Sequence, residues 1–217
     1  MTDRPIIDAG PGLSFFSINK ERLLIRVLGP ISAPECVRDE ILRKARQQTR
    51  FKPSEIVVNK LSDRWLRWLS DDVTDELAAA VQRICGLPME QRLRGGKDLG
   101  ETMVVAHAVV AAEAGAHVTV LIDDGAGARA ATKELKRLDR IRKSASVGSI
   151  TLVNTATVLE KAVTARYIED RGELKEIYQR LRDLDDGLMP IDRTALLRPE
   201  LWNSRSEGQD NGLAHSR

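Results

Sequence analysis

Short apolar runs alternating with amphipathic stretches mark this chain as an α/β protein built on a parallel sheet flanked by helices. Three observations carry that expectation. Residues 117–122 form the clearest buried strand, stopped by Asp123-Asp124-Gly125. Shorter apolar runs at 5–7, 31 and 150–153 are each followed by a segment with helical periodicity. Acidic residues sit where such runs end or where the next helices begin: Asp8, Glu40, Asp98 with Glu101, and Asp123 with Asp124.

The first run stops at Asp8 and enters Ala9-Gly10-Pro11-Gly12, a loop composition, before a helix from Leu13 to 18. Residues 21–28 read as a second helix, ended by Gly29-Pro30. Ile31 then forms a short strand, and Pro34 is a favourable first residue for a helix over 34–48 that carries Val37 and Ile41 on one face. Residues 56–58 and 65–69 are apolar enough for short strands, whereas 73–84 has helical period. Residues 94–97 are a loop. A strongly apolar helix over 101–114 is stopped by Gly115, and a basic helix over 128–143 follows the 117–122 strand. After a strand at 150–153 come helices at 156–168 and 173–184. The expected division is a domain over 1–170, a helical C-terminal extension over 171–203, and a polar, disordered tail over 204–217.

At 217 residues and 42% hydrophobic content the chain has enough apolar material for a core of ordinary size. A net charge of +2 is too mild to identify a polyanionic partner. Two cysteines, Cys36 and Cys85, fit neither a C-x-x-C pair nor a zinc spacing, which favours a reduced, cytoplasmic protein. The N-terminus lacks a basic segment followed by an apolar one, and no run approaches the ~18 apolar residues of a membrane span. Neither secretion nor membrane insertion is expected.

In a parallel α/β sheet, strand ends and helix starts converge on one edge, so carboxylates far apart in sequence meet there. Carboxylates gathered that way repel one another, and a hard divalent cation such as Mg²⁺ relieves the repulsion. The acidic positions therefore read as a metal site. Each also has a purely structural explanation. Asp8 starts a turn; Glu40 pairs with Lys44 one helical turn on; Asp98 and Glu101 form a capping box; Asp123 or Asp124 caps the next helix.

Four motifs bring these acids together: IIDAGPGLSFF from Ile6, PECVRDEIL around Glu40, DLGETMVVAHAVVAAEAG around Glu101 and VTVLIDDGAGARAA around Asp123. In these motifs, over roughly residues 5–170, the chain resembles the PIN-domain nucleases, a family that includes the toxin subunits of type II (VapC-type) toxin–antitoxin pairs. The resemblance implies a parallel sheet with flanking helices, an acidic pocket holding Mg²⁺ or Mn²⁺, and hydrolysis of RNA. The family's acids fall on Asp8, Glu40, Glu101 and Asp124, with Asp123 as an alternative for the last. Asp8, Glu101 and Asp123 or Asp124 are the expected metal ligands, while Glu40 binds metal or orients water. An antitoxin and a homodimeric state are the implied partners. The chain departs from the family in two respects: the hydroxyl common just after the first acid is replaced by Ala9-Gly10-Pro11-Gly12, with Ser14 nearby, and the chain is longer than a compact toxin.

The basic helix carries Arg129, Lys133, Lys136, Arg137 and Arg140, which read either as an RNA-contacting face or as a solvated one. Arg43, Lys44, Arg46, Arg50 and Lys52 form a second basic segment with the same two readings. His107 belongs to a packed helix, and Trp65 and Trp68 suit a core or a partner interface better than base stacking. The expected function is a metal-dependent endoribonuclease. Its rivals are a noncatalytic RNA-binding module with a PIN-like fold and a receiver-like phosphoacceptor, although no isolated acceptor aspartate stands out.

Overall fold

In a computed structural model, described over residues 4–96, 98–123, 125–143 and 145–203, the protein is built on five parallel strands. β1 (Ile6–Ile7), β2 (Ile31–Pro34), β3 (Leu66–Leu69), β4 (His117–Leu121) and β5 (Ser149–Val153) lie in the order β3-β2-β1-β4-β5. β1 is only two residues long yet holds the centre, with Ile6 in register with Ser32 on one side and Val120 on the other. Both of its residues are buried, as strands covered on both faces require. The chain runs outward from β1 to β3, then returns to pair β4 beside β1. The order thus reverses between β1 and β4, where a crevice opens at the carboxyl ends of the strands.

The helices are α1 (Ala9–Ser17), α2 (Glu21–Leu28), α3 (Glu35–Gln47), α4 (Lys52–Lys60), α5 (Asp75–Cys85), α6 (Met89–Leu93), α7 (Leu99–Glu113), α8 (Gly125–Ile141), α9 (Thr155–Thr164), α10 (Arg171–Arg182) and α11 (Pro199–Asn203). α7 is apolar on every side and lies across β1, β2, β4 and β5, packed by α3, α5 and α8. A helix hydrophobic all round must be buried, and this one is the middle of the core. α10 buries Leu174, Ile177, Tyr178 and Leu181 in the same apolar cluster. The segment 171–203 is therefore packed on the body of the protein; residues 204–217, expected as a tail, lie outside the described residues. No helix among the described residues is long and apolar enough to cross a membrane.

Three expectations are corrected. Residues 56–58 are helical: in α4, Val57 and Val58 are buried while Ile56 is 66% exposed, the outcome of a 100° step rather than a strand's alternation. Gly10-Pro11-Gly12 is not a loop but the first turns of α1, where proline is tolerated because the early amides have no helical acceptor. Pro34 ends β2 and precedes α3 rather than opening it. Trp65 is 38% exposed, and Trp68 is half-buried on edge strand β3.

His107 resolves as a packing residue with a partner. Its Nε2 lies 3.1 Å from Asp71 Oδ1, and Asp71 Oδ2 accepts the Cys36 amide at 2.7 Å. Burial alone raises the Asp71 carboxyl, but the bonds from His107 and Cys36 outweigh it and hold the group below its ordinary value. Asp71 thus caps an orphan amide in the first turn of α3 from another part of the chain, and Glu35 Oε2 accepts the Asp71 amide in return.

Candidate functional site

A cleft of about 670 Å³ opens at the crevice between β1 and β4. Asp8, Glu40, Asp98, Glu101 and Asp123 all line it. Five acids spread over more than half the chain therefore share one opening, as strand-end convergence predicts. Asp124 lies outside the described residues.

Asp8 follows β1 directly and is 6% exposed. Its amide donates to Leu121 O of β4 at 3.0 Å, and its Oδ2 accepts from Gly10 N at 3.4 Å as the cap of α1. Burial pushes its carboxyl from 3.8 up to about 6, the nearby Glu40 charge adds to the rise, and the Ala9 and Gly10 amides and Lys44 oppose it. The result is a buried carboxylate with little compensation.

Glu40 reaches the cleft from α3. Its Oε1 pairs with Lys44 Nζ at 2.7 Å, which makes the helix pair expected from spacing. Its Oε2 points toward the first turn of α7, where a methyl group on Gly100 would lie 3.1 Å from that oxygen and 3.6 Å from Asp8 Oδ1. Glycine at 100 lets the helix start come up against both carboxylates. Glu101, the next residue, has its Oε2 3.2 Å from where a methyl on Gly127 of α8 would stand.

Asp123 lies two residues past β4 and is bonded differently. Its Oδ1 accepts the Thr155 amide at 2.7 Å and its Oδ2 accepts the Thr155 hydroxyl, so both oxygens hold the start of α9. Burial raises its carboxyl, the two Thr155 bonds lower it, and the Asp185 charge raises it, leaving it above the ordinary value. Asp98 sits in the left-handed region at φ 55 before α7. The expected Asp98 cap does not form: no capping bond is made by its side chain, and its carbonyl instead accepts the Thr102 hydroxyl at 3.0 Å.

The basic expectation changes more. Among the described residues lining the cleft, none belongs to α8. Arg137, expected to contact RNA, turns inward. It pairs with Glu113 and, at 2.7 Å, with Glu134, a carboxylate 3% exposed that Arg83 also contacts at 3.2 Å. These ion pairs pin α8 to α5 and α7. Arg129, Lys133, Lys136 and Arg140 are exposed. Among the described residues, the cleft's cations come instead from the second basic segment, Arg43 and Lys44 of α3 and Arg50 of the 3-10 turn Thr49–Phe51.

Leu184, Asp185 and Gly187, from the loop after α10, complete the lining. Sequence reading passed over them, because Asp-Asp-Gly after a helix carries only a turn signal; Gly187 N indeed donates to Asp185 Oδ1 at 2.9 Å.

Among the described residues, no group of three or more His, Cys, Asp or Glu side chains is arranged to hold one metal ion. The donor chemistry nonetheless suits a hard cation, since Mg²⁺ is commonly bound through one or two carboxylates and retains waters. Asp8 and Glu101 line the same cleft as candidates for such a pair, with a Glu40 oxygen facing Gly100 beside Asp8. No protein-family model matches the chain, and no curated protein or solved structure matches it.

Proposed function

We propose that the protein is a divalent-metal-dependent endoribonuclease of the PIN type, with the carboxylate cleft as its active site. The observation that carries this reading is the meeting of Asp8, Glu40 and Glu101 at the β1/β4 switch point, with Asp8 buried beside Glu40 at a raised pKa. A carboxylate kept charged at such a place calls for a cation. The β3-β2-β1-β4-β5 order and the four sequence motifs support the same assignment.

Asp8 and Glu101 would hold Mg²⁺ or Mn²⁺, with Asp124 assigned beside them by the family resemblance. When bound, the metal supplies activation of a water and neutralisation of charge on the phosphoryl oxygens. Glu40, with one oxygen held by Lys44, offers its other oxygen to orient that water. No protein nucleophile is needed. Asp123 holds the α9 start against the cleft and lends negative potential rather than a free ligand oxygen.

The test is cleavage of labelled RNA by purified protein with Mg²⁺ or Mn²⁺. Chelation, Asp8→Asn and Glu101→Gln should each abolish it. Undiminished cleavage by both variants overturns the reading. A toxin role and an antitoxin partner rest on the family resemblance, and inspection of the adjoining reading frame for a small DNA-binding protein tests them. The engagement of both Asp123 oxygens by Thr155 favours a second reading, noncatalytic RNA binding, whose mark is metal-independent binding without cleavage.

A further inference from the structure

An acidic cleft repels the polyanion it is meant to cut, so the cations within it decide how a strand is held. Among the described residues, three line it: Arg43, Lys44 and Arg50. Lys44 is neutralised by Glu40 at 2.7 Å. Arg46, in the same segment but not lining the cleft, is taken by Glu55 at 3.3 Å. Arg43 and Arg50 differ. Among the described residues, neither has a carboxylate partner.

Arg50 is also held in place. Its Nε donates to Gln48 Oε1 at 3.0 Å and one terminal nitrogen donates to Asp183 O at 3.3 Å, while its guanidinium stacks on Phe51 at 4.6 Å. A guanidinium fixed by neutral acceptors keeps its full charge, and its planar fork suits a phosphate. Arg43, exposed on the last turns of α3, stands on the same wall.

We infer that Arg43 and Arg50 form a phosphate-binding subsite on the α3 wall of the cleft, which holds a single-stranded polynucleotide by a phosphate flanking the one facing the carboxylates. The location beside a reacting phosphodiester rests on the nuclease reading, but the binding does not. The subsite gives the cleft two walls of opposite sign. A strand with several phosphates engages both, and a mononucleotide engages one. The exposed bases of α8 take no part.

The test uses the full chain and a fluorescent single-stranded RNA of about 12 nucleotides, within the span of common single-strand sites. Anisotropy is read across a salt series in chelator, so that cleavage does not intervene. Arg43→Gln and Arg50→Gln should each weaken binding about 3- to 10-fold and flatten the salt dependence by about 0.7 in log–log slope, the value for one single-strand phosphate. Arg43→Lys should keep the slope. Arg43 has no hydrogen-bond or ion-pair partner to lose among the described residues, so its variant keeps the test meaningful if Arg50→Gln disturbs the fold. Lys133→Gln with Lys136→Gln and Arg140→Gln should change neither affinity nor slope. The inference is overturned if the double Arg variant binds as wild type, if the α8 variant carries the loss, or if wild-type protein fails to bind RNA at low salt. Equal losses with a DNA strand would support a site that reads phosphate alone. Wild-type binding with the expected slope but no cleavage in Mg²⁺ would defeat the nuclease reading and leave the subsite standing. Cleavage with unaltered binding by the Arg variants would do the reverse.

Discussion

Asp8 and Asp123 both lie just beyond a central strand at the carboxyl edge of the sheet, one residue past β1 and two past β4, and they have opposite circumstances. Asp123 gives both oxygens to Thr155 and so fastens the start of α9. Among the described residues, Asp8 is met only by the amides of its own helix start, Ala9 and Gly10, the latter at 3.4 Å, and has a like charge nearby at Glu40. The same sequence signal, an acid ending a buried strand, thus yields a fastener on one strand and an under-compensated charge on its neighbour. What separates them is where hydrogen-bond donors arrive, and for Asp123 the donor comes from 32 residues further along the chain.

Asp8→Asn should produce the largest effect of any substitution at the crevice. Removing groups that merely support metal ligands costs about 10- to 100-fold, so if Asp8 is a ligand as proposed, its loss should reduce RNA cleavage by at least about 100-fold. A rate within a few-fold of wild type would remove Asp8 from the reaction.

The same variant should gain stability. Burial pushes the Asp8 carboxyl from its ordinary 3.8 up to about 6, so the fold holds its proton more tightly than the unfolded chain does. The cost of its charge is absent below pH about 4, grows between about 4 and 6, and is complete above that range. Without divalent metal, Asp8→Asn should therefore be more stable than wild type at pH 7.5 by up to about 3 kcal/mol, and equal to it at pH 4. Urea unfolding at the two pH values measures this. Equal stabilities at both would mean that the Asp8 charge is well compensated.

Asp123→Ala should move the other way and unfold the protein more easily. It strands the buried Thr155 hydroxyl and amide, at a cost of about 1–3 kcal/mol. If Asp123→Ala is instead neutral in stability while Asp8→Asn is destabilising, the contrast between the two acids is reversed.

The smallest effect should come from Gly100→Ala. Alanine favours the helix by about 0.8 kcal/mol over glycine, yet its methyl stands 3.1 Å from Glu40 Oε2 and must push that oxygen away. Stability should stay within about 1 kcal/mol of wild type while Mn²⁺ affinity, read by calorimetry, falls. Unchanged affinity would exclude Glu40 from the metal's surroundings.

Much of the fold was legible because its signals are local. Residues 21–28 are bounded by Gly29-Pro30 and fold as α2 over the expected span, and the β-branched run before Asp123 forms β4. The expectation failed at Ile56-Val57-Val58, where β-branched residues suggested a strand although Pro53 and Ser54 just before them suit a helix start. The acids of the site were legible from their places at strand and helix ends. Their bonding was not, since Thr155, Asp185 and Arg50 reach the crevice from segments whose own patterns say nothing of it. Counting bases likewise favoured α8, where the buried Glu134 and the half-buried Glu113 had already claimed Arg137.

The amide of Asp8 is bonded to Leu121 O across the junction of β1 and β4. That single bond spans the seam from which the cleft opens, so the walls cannot part at their base without breaking it. The seam lies at the centre of the sheet, where opening free energies approach that of the whole molecule. Deuterium should therefore enter the Asp8 amide only as slowly as it enters Val120, making this one proton a clock for global unfolding.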